Sequence, residues 1–97
     1  MLGEIESCTT LLMRVSELYQ QKKATMGMIA MVKAHVSRVG RDVTRVAREL
    51  QGANGILWES KALRYMIDME AGYTGEGTYD INVLVSGREL TGLAAFH

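Results

Sequence analysis

The sequence predicts an all-α protein, an antiparallel helical bundle, and three observations lead to this fold class. The 97-residue chain has 47% apolar residues, seven methionines and no proline, a composition that favours packed helices over a β protein with many turns. Apolar residues recur at three- and four-residue steps in four segments, and no pair of strands is evident. A chain of this length supports one domain with one modest core, which we assign to residues 1–97.

The first two predicted helices take up the first half of the chain. A polar connector at residues 20–25 is short enough to return the chain antiparallel. Gly52, Asn54 and Gly55 follow the second helix and are typical of a helix end. The first helix, roughly residues 2–21, carries an apolar stripe of Leu2, Ile5, Cys8, Leu11, Leu12, Val15, Leu18 and Tyr19. The second, about seven turns long, carries Met28, Ile29, Val32, Val36, Val39, Val43, Val46, Ala47 and Leu50.

Two shorter helices are predicted in the second half, separated by a glycine-rich break. Residues 58–69 have helical spacing, whereas Gly72, Gly75 and Gly77 argue against helix and permit close approach of the backbone to a ligand. Thr78 is the predicted N-cap of the last helix, and Gly92 is its predicted end.

Charge and composition exclude several classes of function. The formal net charge is zero, so the overall basic excess of a nucleic-acid binder is missing. No apolar run approaches the roughly 20 residues of a membrane span. Cys8 and His35 lack neighbours that would complete a metal site, so a buried structural thiol and a packing histidine are predicted. One face of the second helix is basic and could bind phosphates, be solvated, or pair with acidic residues elsewhere. This face comprises Lys33, Arg38, Arg41, Arg45 and Arg48.

The glycine-rich break contains the strongest chemical signal in the sequence. Glu76 lies between Gly75 and Gly77, just before a helix N-terminus whose free N–H groups could hold an anionic or electron-rich ligand. A carboxylate in this position can act as an acid or a base. The alternative is a solvated glutamate on an exposed loop. A phosphate-binding P-loop is not indicated, because its lysine and its glycine spacing are absent.

Two motifs in this order resemble the C-terminal segment of the acyl-CoA dehydrogenase and oxidase family. Glu76-Gly77-Thr78-x-Asp80-Ile81, followed by Gly87-Arg88 and Thr91-Gly92, is similar to the family's closing segment. Residues 48–56 (RELQGANGI) are similar to its glycine-rich turn. The similarity extends through essentially all 97 residues and is strongest toward glutaryl-CoA dehydrogenase and short-chain acyl-CoA oxidase.

The resemblance implies a fold and a reaction. The chain would be an incomplete four-helix C-terminal domain, without the family's N-terminal helical domain, its central β-barrel and the first helices of the bundle. Glu76 would abstract the α-proton of an acyl-CoA thioester while the β-hydrogen leaves as hydride to the flavin, and Gly77 would contact the substrate. The expected contacts to FAD are Glu49, Leu50, Gln51, Gly52, Ala53, Thr78, Tyr79, Asp80 and Phe96.

The resemblance also implies partners and a location. Some of these flavin contacts reach a neighbouring subunit's flavin in the family, so a homo-oligomer, a tetramer in the family, is expected. A mitochondrial or peroxisomal location is implied in the same way. The isolated chain is expected to be inactive and to bind no measurable FAD. The alternative is a stand-alone helical interaction module that has lost catalysis.

Two positions depart from the family pattern. Gly75 stands where an aromatic residue usually precedes the base, and Ala53 replaces a common glycine. The first change would alter the wall beside the flavin, and the second could crowd backbone that approaches the cofactor.

Overall fold

The computed structural model describes residues 1–94 and contains four α-helices and one short 3₁₀ helix, with no strand among those residues. This architecture confirms the predicted all-α helical bundle. In chain order the elements are α1 (Leu2–Gln20), α2 (Met26–Leu50), the 3₁₀ helix (Gly52–Ile56), α3 (Lys61–Thr74) and α4 (Tyr79–Thr91).

A tight reversal joins α1 to α2, as the polar connector predicted. Lys22 takes the left-handed conformation, with φ of 60°, and the Lys23 N–H donates to the Leu18 carbonyl at 2.8 Å. This bond satisfies one of the carbonyls left unpaired at the end of α1. Thr25 then caps α2, because its hydroxyl oxygen accepts from the Met28 N–H at 3.2 Å. The chain therefore returns antiparallel with both helix ends satisfied.

The bounds predicted for the third helix were wrong at both ends. Trp58 lies in a turn, and α3 begins three residues later at Lys61. Gly72 lies inside α3, which continues to Thr74. The helix break predicted at Gly72 is therefore wrong. The Gly75 N–H still donates to the Ala71 carbonyl at 2.7 Å, and only then does the backbone become extended. Gly72 itself is exposed, and its carbonyl accepts a hydrogen bond from Lys33 of α2 at 2.8 Å.

Helix α2 is the centre of the fold, because the other three helices all pack on it. Small residues make close contact possible: the Glu89 side chain of α4 lies directly over Gly27, and the methyl end of Met69 lies against Gly40. The Ser86 hydroxyl also donates to the Gly27 carbonyl at 3.1 Å. Helices α3 and α4 both run antiparallel to α2 along neighbouring faces.

The buried core is small, and much apolar surface is exposed. The buried apolar residues are Cys8, Ala30, Val32, Ala34, Val39 and Ala62, and no large side chain within residues 1–94 is fully buried. An open apolar groove of about 690 Å³ lies between α1, α2 and α3. Its walls include Leu12, Val15, Ile29 and Met69, and Lys33 also borders it. None of the helices within residues 1–94 has both the length and the apolar character needed to cross a membrane.

Two glycine substitutions should have opposite effects on stability. Gly72→Ala should raise the free energy of unfolding by about 0.5–1 kcal/mol, because Gly72 is helical and a Cβ there meets nothing within 4 Å. Gly55→Ala should lower it by about 1–3 kcal/mol, because a Cβ at this buried position would collide with the Arg48 carbonyl. Urea unfolding followed by circular dichroism measures both, and a stabilised Gly55 variant would contradict this packing.

Candidate active site

The loop between α3 and α4 gives Glu76 an unusual backbone. Its φ is 54°, and within residues 1–94 only Lys22 shares a left-handed conformation without being glycine. Gly77 follows with φ of 95°, so two consecutive residues reverse the chain. The Glu76 side chain is exposed, and no hydrogen bond or ion pair to residues 1–94 holds its carboxylate. The structure thus places this carboxylate at the protein surface beside the start of α4.

Lys33, in the first third of α2, holds this loop. Its Nζ donates to the carbonyls of Gly72 at 2.8 Å, Gly75 at 2.9 Å and Gly77 at 2.9 Å. The three acceptors use all three N–H groups of the ammonium. Carbonyls on both sides of Glu76 are consequently tied to α2. This role was not predicted from the sequence, where Lys33 was assigned to a basic face. The available signal was a lysine within the apolar run of Ile29, Val32 and Val36.

The start of α4 is fixed by two side chains. The Thr78 hydroxyl oxygen accepts from the Ile81 N–H at 3.2 Å, which confirms the predicted N-cap. Asn82 Nδ2 donates to the Gly77 and Thr78 carbonyls, each at 3.0 Å. Gly77 therefore receives hydrogen bonds from both α2 and α4. Asp80 lies exposed in the first turn of α4, where the helix dipole favours a carboxylate.

An aromatic and cationic stack connects the loop to α2. The Tyr73 and Tyr79 rings are stacked, with centroids 5.4 Å apart and planes 8° from parallel. The Arg41 guanidinium lies 4.6 Å from the centre of the Tyr73 ring. Its Nε also donates to Glu70 Oε1 at 2.8 Å, and this hydrogen bond raises the pKa of Arg41. Tyr79 is thereby oriented by α3 and α2 as well as by its own helix.

The second predicted flavin-contact segment, residues 49–53, is far from the first. It follows the C-terminal end of α2 and is exposed throughout, including Leu50 at 78% exposure. Tyr79 instead lies over α2 near His35 and Arg38. Those positions are 11 to 16 residues from Glu49 and Gln51, or about 17–24 Å along the helix at 1.5 Å per residue. The structure therefore does not bring the two segments together in one chain.

The two departures from the family pattern fit this backbone differently. Ala53 has no positive φ, so the extra methyl group is accommodated without backbone strain. Gly75 has a φ of −73° that any residue accepts, but a Cβ there would lie 3.0 Å from the Ala71 carbonyl. A larger residue at position 75 would thus require a small shift of the loop. Phe96, the remaining predicted flavin contact, lies outside the described residues.

The other candidate features have structural roles. Cys8 is buried at 7% exposure, as predicted. Part of the basic face matches acidic residues, because Arg41 and Arg45 both approach Glu70 Oε1, at 2.8 and 3.6 Å. His35 is half-buried in the cleft between α2 and α4. Within residues 1–94 no three acidic, histidine or cysteine side chains are grouped to hold a metal ion.

The structure is that of an all-α helical domain with a glycine-flanked carboxylate at the entrance to its last helix. Residues 1–91 match the family model described as acyl-CoA dehydrogenase, C-terminal domain, and the chain belongs to this family.

Solved structures of glutaryl-CoA dehydrogenase from Mycobacterium smegmatis are similar to this chain. One has a TM-score of 0.86 at 27% identity, over 92% of this chain and 23% of the other. A second, in complex with FADH2, has a TM-score of 0.83 at 26% identity, over 99% of this chain and 27% of the other. The chain therefore spans about a quarter of the length of the structures it matches.

Loss of the Thr78 cap should loosen the start of α4. Thr78→Ala should lower the stability of this helix by about 1 kcal/mol, because the Ile81 N–H loses its acceptor. Thr78→Ser keeps the hydroxyl and should retain most of the stability. Hydrogen exchange of the α4 amides measures the difference, and equal exchange in the alanine and serine variants would show that the cap contributes nothing.

Proposed function

We propose that this chain supplies the catalytic base of an FAD-dependent acyl-CoA dehydrogenase or oxidase, with Glu76 removing the α-proton of an acyl-CoA thioester. The observation that carries this proposal is the conformation of Glu76, a carboxylate in a left-handed, braced loop at the entrance to α4. It occupies the glutamate position of the motif that resembles the family's closing segment.

The strain at Glu76 supports a chemical role. A left-handed backbone costs a residue with a side chain roughly 1–2 kcal/mol, and glycine or asparagine would relieve much of this cost. Lys22 has the same conformation, but there it completes the end of α1. Glu76 completes no such helix end, and within residues 1–94 its carboxylate makes no hydrogen bond or ion pair. A strained residue without a structural benefit is a candidate for function.

The proposed reaction needs little from the protein beyond a placed base. Hydrogen bonds that polarise the thioester carbonyl acidify the α-carbon, and Glu76 then accepts the α-proton as the carbon–carbon double bond forms. The β-hydrogen departs with its electron pair, and FAD, when bound, supplies the acceptor for that hydride. Gly77, which has no side chain, leaves room for the substrate beside the base.

The residues at the start of α4 fit contact with a flavin. The N-terminal N–H groups of a helix are free to donate to carbonyl oxygens of a ligand, and Tyr79 offers a flat ring already held by Tyr73. Thr78 and Asp80 add exposed polar groups. Residues 49–53 form a separate exposed patch, about 17–24 Å away along α2. We propose that the two patches contact different flavins in a homo-oligomer.

We further propose that catalysis requires polypeptide in addition to residues 1–97. The open groove between α1, α2 and α3 exposes apolar side chains that a folded enzyme would cover. The family resemblance places most of the flavin and acyl-chain pocket in an N-terminal helical domain and a β-barrel. Turnover by the isolated chain is accordingly not expected.

Replacing the base tests the proposal in the whole gene product that carries residues 1–97. Glu76→Gln keeps the size of the side chain but removes the proton acceptor, so the anaerobic reduction of bound flavin by acyl-CoA should slow by at least about 100-fold. Glu76→Asp keeps the charge and tolerates the left-handed backbone, but moves the carboxylate back by one methylene, and should give an intermediate loss. The rate of flavin reduction is measured by flavin absorbance for the wild type, Glu76→Gln and Glu76→Asp. The substrates are glutaryl-CoA and straight short-chain acyl-CoA thioesters.

Glu59→Gln is the matched control, because Glu59 is exposed in the turn before α3. It should leave flavin content and reduction rate unchanged, and Glu76→Gln should leave flavin content unchanged. Near-normal flavin reduction in Glu76→Gln would refute the role of Glu76. A wild-type protein that binds flavin but is not reduced by any acyl-CoA, or that binds no flavin, would favour the helical interaction module.

A further inference from the structure

We propose that Lys33 is a positioning residue for the catalytic base: it sets the backbone on both sides of Glu76 through hydrogen bonds to three carbonyls. This inference rests on the proposed function of Glu76. Lys33 is 43 positions earlier in the sequence than Glu76 and lies on a different helix. It acts on Glu76 through the loop backbone and does not itself touch the reacting atoms.

The three acceptors are distributed so that they fix the whole loop. Gly72 is in the last turn of α3, where carbonyls lack partners within the helix. Gly75 and Gly77 are the neighbours of Glu76, and their carbonyls lie 2.9 Å from the same Nζ. One ammonium group thus joins the end of α3 to the residues before and after the base.

The ammonium group suits this arrangement chemically. A lysine presents three N–H donors on one small atom, whereas the planar guanidinium of arginine directs its donors outward in a fork. The positive charge also lies at the C-terminal end of α3, where the helix dipole is negative. The stem of Lys33 passes beside the apolar residues Ile29, Val32 and Val36, which limits its freedom to leave the loop.

The exposure of the Glu76 carboxylate explains why a backbone brace is needed. No side chain within residues 1–94 hydrogen-bonds the carboxylate, so its position depends on the backbone that carries it. That backbone is strained, and the glycines beside it resist other conformations poorly. Without Lys33, only Asn82 would still hold the Gly77 carbonyl, and the carbonyl of Gly75 would lose its partner. The base would then sample many positions.

The first test is made on the unaltered 97-residue chain and does not depend on catalysis. Nitrogen-15 NMR of the lysine ammonium groups at low temperature should show a slowly exchanging signal for Lys33, with couplings across hydrogen bonds to the carbonyl carbons of Gly72, Gly75 and Gly77. Exposed lysines such as Lys61 should exchange too fast to be seen. Absence of the Lys33 couplings would overturn the inference.

The second test compares Lys33→Met with Lys61→Met as the matched control. Methionine keeps the apolar stem and removes the three donors, so exchange of the Gly75 and Asn82 amides should become at least about tenfold faster, with α1 unchanged. Faster amide exchange throughout α1 and α2 would mean that Lys33 supports the whole fold. Unchanged amide exchange in the loop would mean that Lys33 does not stabilise the loop. Either result would overturn the positioning role.

The third test uses flavin reduction by acyl-CoA in the whole gene product. Lys33→Met should lower the maximal rate roughly ten- to a hundredfold and leave the half-saturating acyl-CoA concentration nearly unchanged, because a misplaced base affects the chemical step. Lys61→Met should change neither. A loosened loop with a normal rate would refute positioning while leaving the proposed function intact. An inactive wild type with an intact brace would refute the proposed function instead.

Discussion

The fold depends on the packing of three helices against one, α2. This helix is a poor helix former in isolation, because β-branched valines recur along it, and its neighbours must supply its stability. Small residues on one of its faces, such as Gly27 and Ala34, let α4 approach closely. The candidate site is a product of the same packing, since α3 ends and α4 begins where Lys33 projects from α2. Helix packing and loop geometry therefore cannot be separated in this protein.

Periodicity predicted the helices well but could not predict what ends them. The four helices, the reversal before Thr25 and the cap at Thr78 all follow from local patterns, because apolar spacing and hydroxyl caps act within a few residues. The extent of α3 did not follow. Gly72 lies in a helical turn whose carbonyl is bonded by Lys33 of α2, and no local rule contains that information. The same limit applies to Lys33, whose three acceptors are 39 to 44 positions away in sequence.

The candidate site was predicted by a motif, and the structure adds the reason that the motif has glycine at position 77. Gly77 has a φ of 95°, which a side chain would oppose, and the Lys33 ammonium binds its carbonyl. Gly75, which departs from the family pattern, has an ordinary φ, and a Cβ there would lie 3.0 Å from the Ala71 carbonyl. Gly75 and Gly77 thus look equivalent in the sequence but differ in the structure: a side chain would meet a nearby carbonyl at Gly75 and an unfavourable backbone conformation at Gly77. The Arg41, Tyr73 and Tyr79 stack had no sequence signal, because its members come from three helices.

The two segments proposed to contact flavin are well separated, and this separation bears on the proposed assembly. Residues 49–53 and the start of α4 lie at different levels of α2, so a single chain presents two partial surfaces and no enclosed ring site. Each surface gains a complete environment only when other polypeptide is brought against it. The open groove beside α1 also supports the need for other polypeptide, because its apolar walls are exposed to water in the chain alone. The segment is braced around Glu76 and open in the groove, which supports the proposal that other polypeptide completes the site.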